Sequence, residues 1–192
     1  MRTENQTTIS RHASYVDKLS MLPGERLVKA LTLNSDGIAM SRGKLDITYK
    51  QLNEFVIRFS KGQRTDGTLK RNHRKIDAVL FVEPGNRALC QKWDFTVGVE
   101  VKVTSRDLLN DEKIPHYLGW TDFFFLASPD DLIEQTLTKA SISPYVGVVS
   151  LDSGKIYKYP VRQDVSLDRK VEVMTQAFYK HGDNRKSILL EV

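Results

Sequence analysis

Val97-Gly98-Val99-Glu100-Val101-Lys102-Val103, read together with the earlier Ile76-Asp77-Ala78-Val79-Leu80-Phe81-Val82, decides the fold of this chain. In the later stretch valines fill 97, 99, 101 and 103, with Gly98, Glu100 and Lys102 between them. A strand has a period of two, so the valines share one face and Glu100 and Lys102 project together from the other. β-branched residues at this density favour a strand over a helix. Asp77 opens a second strand-like run, a neighbour for the first across a sheet.

Hard divalent cations such as magnesium prefer carboxylate oxygens and keep several waters. Asp77 and Glu100 are the candidate metal ligands, with the Val101 backbone carbonyl as a third donor. Lys102 would place a cation where it orients or deprotonates a water and stabilises the charge on an attacked phosphate. The competing reading makes Glu100 and Lys102 an exposed pair on an amphipathic strand and Asp77 a polar strand-start residue. Asp77 on its own apolar strand, a basic segment before it and a helix after Lys102 favour the metal site.

Working outward, Arg58 to Lys75 holds seven basic residues (Arg58, Lys61, Arg64, Lys70, Arg71, Arg74, Lys75) against Asp66 alone. That local +6 accounts for the whole net charge of +5. A concentrated basic segment beside the Asp77 strand points to an anionic polymer as partner. The 192 residues suffice for one good core, and 40% hydrophobic with 28% charged residues is an ordinary globular composition. No apolar run approaches the roughly 20 residues needed to span a membrane. Met1 to Ser20 is polar and lacks the apolar core of a signal peptide, so a cytoplasmic location is expected. Cys90 is the sole cysteine, which excludes an intramolecular disulfide and a cysteine-based structural zinc site. A small buried thiol is the expected role for it.

The N-terminal segment from Thr8 to about Leu33 reads as helical, interrupted at Pro23-Gly24. Asn34 to Lys44 reads as a loop marked by Asp36-Gly37. Ile47 to Ser60 is ambiguous, Leu52 to Glu54 being compatible with the end of a short helix and Phe55 to Phe59 resembling a strand, while Lys61 to His73 reads as a basic connection. After the Asp77 and Glu100 strands, Thr104-Ser105 offers a helix N-cap and Pro115 a break or fresh start. Thr121 to Ala127 is apolar throughout, as in a strand buried on both faces. A short helix restarts at Ser128 to Asp131. Tyr145 to Ser150 and Lys155 to Tyr159 make a hairpin around Asp152-Ser153-Gly154, and Ser166 to Tyr179 a terminal helix. A strand–helix–strand step across 97–127 implies a parallel crossover. The expected fold is α/β, one domain with a central mixed sheet flanked by helices. Residues 1–50 are expected to be a helical segment packed on the core formed by 51–192.

Arg74-Lys75-Ile76-Asp77 followed by Gly98-Val99-Glu100-Val101-Lys102 resembles the metal site of PD-(D/E)XK nucleases. In that superfamily an Asp on one strand and Glu-x-Lys on the next form the site. The similarity extends to the MmcB-like group, regarded as DNA-repair endonucleases. There the Glu-Val-Lys is followed by a serine-containing turn, a short acidic helix, an Asp/Lys-x-Pro-x-Tyr segment, then Cys-Asp and an aromatic strand. Val103 to Tyr117 and Thr121 to Ala127 follow that order, over a match from about Glu54 to Tyr159. The chain departs from the group in its long basic insertion before Asp77 and in Thr121, which replaces the cysteine.

The resemblance implies a restriction-endonuclease-like core over 51–192 and a magnesium-dependent endonuclease, with manganese able to substitute. DNA would be the partner, with RNA still open, and a homodimer is allowed for. Asp77, Glu100 and Lys102 would be catalytic. Lys113 and Tyr117 would point at substrate phosphate or pack beside the site, joining Lys70, Arg71, Arg74 and Lys75 as nucleic-acid contacts. Family members often add an upstream acid to the metal site, for which Glu54 is preferred here over Glu25. DNA repair and mobile-element processing are the biological settings implied.

The histidines (His12, His73, His116, His181) are scattered without zinc-ligand spacing. No Ser/His/Asp set and no Gly-x-x-x-x-Gly-Lys phosphate loop is present. Phe123 to Phe125, Trp93 and Trp120 read as packing residues rather than base-stacking platforms. The alternative to a nuclease is a catalytically inactive nuclease-fold protein that binds nucleic acid as a partner module. The intact Asp77, Glu100 and Lys102 argue against it.

Overall fold

The alternating valine run folds as a strand at the centre of a mixed sheet. The computed structural model describes residues 12–16, 22–34, 44–63, 69–84, 95–180 and 185–191. Its strands are β1 (Lys44–Gln63), β2 (Leu69–Pro84), β3 (Phe95–Val101), β4 (Phe123–Ser128), β5 (Val146–Ser150), β6 (Ile156–Lys158) and β7 (Arg185–Glu191). The helices are α1 (12–16 as described), α2 (Leu22–Asn34), α3 (Ser105–Leu109), α4 (Ile114–Tyr117), α5 (Ile133–Ala140) and α6 (Leu167–Lys180). Asp130–Leu132 forms a 3-10 turn that leads into α5. Strand order across the sheet is β6-β5-β4-β3-β2-β1-β7.

The expected crossover is present, since β3 and β4 are parallel, with Val97 opposite Phe123 and Val101 opposite Ala127. β4 and β5 are also parallel, and the other neighbours are antiparallel. Val97, Val99, Val101 and Val103 pack on one face against Leu80 and Phe125, and Leu27, Val28 and Leu31 of α2 belong to the same cluster. Phe55, Ile76, Val79, Phe124 and Leu126 fill the opposite face with Leu108, Ile114, Tyr117, Ile133 and Val173 from α3 to α6. Each fully buried aliphatic side chain contributes about 1.5–3 kcal/mol through lost apolar hydration. Helices therefore cover both faces, as a parallel crossover requires. Gly98 keeps β3 free of a side chain where β4 approaches: a Cβ there would lie 2.8 Å from the Thr121 hydroxyl. Among the described residues no helix is long and apolar enough to cross a membrane.

Several local expectations change. The N-terminal helical segment is described as two helices, and Pro23-Gly24 lies in the first turn of the second, where a missing N–H costs nothing. Residues 44–50, grouped with the helical N-terminal segment, begin β1 instead. Leu52 to Glu54 is strand, held by pairs such as Leu52↔Val79 and Asn53↔Ala78. The basic connection over 61–73 is largely strand too: β1 and β2 pair from Ile47↔Pro84 out to Gln63↔Leu69. Sheet pairing overrode the polar, glycine-containing local sequence there. β7, which no alternation in Ile188-Leu189-Leu190 announces, pairs Lys44↔Glu191 through Lys50↔Arg185. The Asp36-Gly37 loop, Cys90 and Trp93 lie outside the described residues.

Candidate active site

The β2–β3 ladder ends at Ala78↔Val99, so the next position of each strand sets Asp77 beside Glu100. The Asp77 carboxylate then closes the pairing, its Oδ2 accepting from the Val101 N–H at 2.8 Å. Opposite Asp77 on β1, Glu54 interrupts the ladder with a left-handed backbone, φ 54°, between the Asn53↔Ala78 and Phe55↔Ile76 pairs. That conformation costs a non-glycine residue about 1–2 kcal/mol and clusters at functional sites.

Glu100 and Lys102 are not an exposed pair. They are 5% and 2% exposed. The Lys102 ammonium lies 3.0 Å from Glu100 Oε1, 2.7 Å from Asp111 Oδ2 and 3.5 Å from Asp107 Oδ2. α3 delivers Asp107, its N-terminus capped by Thr104 Oγ1 accepting from the Asp107 N–H at 3.2 Å, the cap expected from the sequence. Asp111 follows α3 and is itself buried, with Oδ1 accepting from the Lys113 N–H at 2.7 Å. α4 starts afresh around Pro115 and brings the Tyr117 hydroxyl to 3.4 Å from Glu100 Oε1, to which it donates. Glu100 Oε2 is buried with no hydrogen-bond partner among the described residues.

These contacts set the charges. Burial, then the nearby Asp77, push Glu100 up to about 7, although Lys102 pulls it down. Burial opposes the charge on Lys102, but Glu100, Asp111 and Asp107 together hold its ammonium above the usual lysine value. Burial and the charge of Glu100 raise the Tyr117 phenol, which stays protonated. Between pH 4.5 and about 7 the native carboxyl of Glu100 keeps a proton that the unfolded chain has lost. Raising pH through that window therefore favours the unfolded state. In metal-free buffer the stability of the wild type is expected to fall relative to Glu100→Gln across the window. The expected fall is on the order of 3 kcal/mol, at about 1.4 kcal/mol for each pH unit that the window spans. Urea titrations at a series of pH values measure it, and parallel profiles would refute a raised Glu100.

Asp77, Glu100 and Lys102 line one open cleft of about 400 Å³. Arg74, Lys75, Lys113 and Tyr117 line it as well, as four of the expected nucleic-acid contacts. The side chains of Lys70 and Arg71 lie outside the described set, though both residues are in β2. Arg74 Nε is buried without a hydrogen-bond partner among the described residues. Tyr117 faces Glu100 from within the core rather than lying on the surface.

Neither upstream acid lines the cleft: Glu54, its side chain 68% exposed, pairs with Lys75 at 3.0 Å, and Glu25 pairs with Lys29 at 3.0 Å. The Val101 peptide meets Asp77 through its N–H, whereas the sequence points to its carbonyl as a metal donor. His12, Asp107 and His73 also line the cleft, and the sequence singles out none of them. His12 Nε2 lies 3.2 Å from Asp77 Oδ2, a contact that raises the imidazole pKa against the effect of burial. Nothing in the sequence links residues 65 positions apart.

Among the described residues no group of three or more His, Cys, Asp or Glu is arranged to hold a metal ion. Of the three carboxylates that line the cleft, Asp107 pairs with Lys102, which leaves Asp77 and Glu100 as the candidate ligands. Magnesium is commonly held by one or two carboxylates with water and substrate phosphate completing its shell. The unpartnered Glu100 Oε2 fits that use. No family model and no curated protein matches this chain. Among solved structures it is similar to a protein of unknown function from Silicibacter pomeroyi, at 16% identity and a TM-score of 0.45, covering 85% of this chain and 98% of that one.

Proposed function

We propose that this protein is a metal-dependent nuclease that hydrolyses DNA phosphodiester bonds, with a restriction-endonuclease-like core and Asp77, Glu100 and Lys102 as its catalytic set. The observation that carries the reading is the convergence of these three side chains in one cleft also lined by Arg74, Lys75 and Lys113. Asp77 and Glu100 would hold magnesium, which supplies Lewis-acid activation of water and neutralises phosphate charge when bound.

Lys102 keeps its proton, because the carboxylates around it raise its pKa. It therefore serves as a fixed positive charge that orients the water and stabilises the attacked phosphate, not as the base. Asp111 and Asp107 hold that ammonium in place. In the reaction the water oxygen would bond to phosphorus as the bond from phosphorus to the leaving oxygen breaks, the water giving up a proton to solvent in the open cleft and the leaving oxygen taking one from it. Arg74, Lys75 and Lys113 would contact the substrate backbone.

Cleavage of supercoiled plasmid by purified protein tests the reading. Magnesium or manganese should support nicking, chelator should abolish it, and Glu100→Gln should lose at least about 100-fold in rate, the scale of a lost electrostatic or acid–base group. A wild type that binds DNA yet leaves the plasmid intact with either metal would instead support the non-cutting partner module.

A further inference from the structure

β1 and β2 continue as a pair well beyond the rest of the sheet. β3 pairs with β2 only from Ala78 to Val82, and β7 pairs with β1 only from Lys44 to Lys50. Outside those limits, among the described residues, the strands pair with each other alone, from Phe55↔Ile76 to Gln63↔Leu69, with a register irregularity between Ser60 and Gln63. The root is anchored. Phe55, Ile57 and Ile76 are fully buried, and Gln176 of α6 holds the Val56 peptide on both sides, donating to its carbonyl at 2.8 Å and accepting from its N–H at 3.3 Å.

Beyond the root the ribbon changes character. Residues 58–63 and 69–75 contain two large apolar residues, Phe59 and Leu69, against six lysines and arginines and no acid. Such a ribbon has no apolar face with which to bury itself, and isolated two-stranded ribbons are marginal in water. The cations sit on both strands, Arg58 and Lys61 on β1 and Lys70, Arg71, Arg74 and Lys75 on β2. The eight steps from Leu69 to Asp77 span roughly 26 Å at about 3.3 Å per residue. The arm thus starts at the cleft and reaches well past it.

We propose that this ribbon is a DNA-reading arm that enters the major groove of B-form duplex, which makes duplex DNA the substrate class of the cleft. The inference rests on the nuclease reading for the cleft's role but not for the arm's binding. A major groove about 12 Å wide admits a two-stranded ribbon. With cations carried on both of its strands, such a ribbon can neutralise the phosphate backbones on both sides of the groove. A single strand offers one backbone track and is gripped largely by aromatic stacking, for which the arm has only Phe59 and His73 against six cations. The major groove of duplex RNA is too deep and narrow to enter.

Fluorescence anisotropy with the full chain in chelator separates binding from cutting. The probes are one sequence as duplex DNA, as single-stranded DNA and as duplex RNA, together with the same DNA duplex carrying bulky substituents at pyrimidine C5, which project into the major groove. The expected result is binding to plain duplex DNA at least about tenfold tighter than to the other three. Replacing Lys70 and Arg71 by Ala should flatten the log–log salt dependence by about two, near 0.9 per phosphate contact. Equal affinity for the C5-substituted duplex, or for single strand, overturns the proposal using the wild type alone, whatever the variants do to folding. Plasmid cleavage with no groove preference would sink the arm and spare the nuclease. Groove-dependent binding without cleavage would do the reverse.

Discussion

Lys102→Ala is expected to remove cleavage and to destabilise the fold in the same stroke. The ammonium is almost wholly buried and lies within 3.5 Å of carboxylates from Glu100, Asp107 and Asp111. Deleting one partner of a buried ionic cluster leaves the others uncompensated, at a cost of about 3–5 kcal/mol. The rate should fall by about 100-fold to 1,000-fold, as when one preorganised electrostatic donor is lost. Urea unfolding and plasmid nicking, each on protein shown to be folded at the assay temperature, measure the two effects separately. Asp111→Asn serves as the control, because it loosens Lys102 without removing the charge. Its rate should fall less than that of Lys102→Ala. A folded Lys102→Ala that nicks at the wild-type rate would remove Lys102 from the mechanism and leave it as a structural cation.

The second large effect is on metal binding. Calorimetric titration with magnesium or manganese should give a binding isotherm for the wild type and none for the Asp77→Ala, Glu100→Ala double variant. A ligand that binds only the folded state stabilises it by about 2.7 kcal/mol at a hundredfold excess over Kd. The melting temperature of the wild type should therefore rise with metal while that of the double variant stays put. Asp77→Ala also removes the acceptor that holds the Val101 N–H, so a modest metal-independent loss of stability is expected in it. Equal heats from the two proteins would exclude Asp77 and Glu100 as ligands.

The residues of the cleft differ in how far the sequence announces them. Glu100 and Lys102 stand out because a strand interior that carries two charges among valines is locally inconsistent, and such inconsistency marks functional sites. Asp77 is legible for the same reason at the head of an apolar run. Asp107 and Asp111 carry no comparable signal, since acids around a short helix normally face solvent. Only the path of the chain through α3 and the turn after it brings them back onto Lys102. His12 is invisible for a simpler reason, lying in a helix 65 positions from Asp77. Glu54 misleads: it leads toward the right strand, but its carboxylate pairs with Lys75. The basic stretch was legible as charge and not as shape, because its strands are specified by pairing with each other rather than by alternation.

From the sequence alone follow the α/β class, the parallel β3–β4 crossover, the central strands and the placing of Asp77 and Glu100 on neighbouring strands with Lys102 just beyond. All of these rest on periodicity and residue chemistry, which act over a few neighbours. Tertiary structure alone decided the length of the β1–β2 ribbon, the β7 edge, the burial of Glu100 and Lys102 and the carboxylate cage around the ammonium. Those depend on contacts between residues distant in the chain, where packing and desolvation set both the conformation and the charge state.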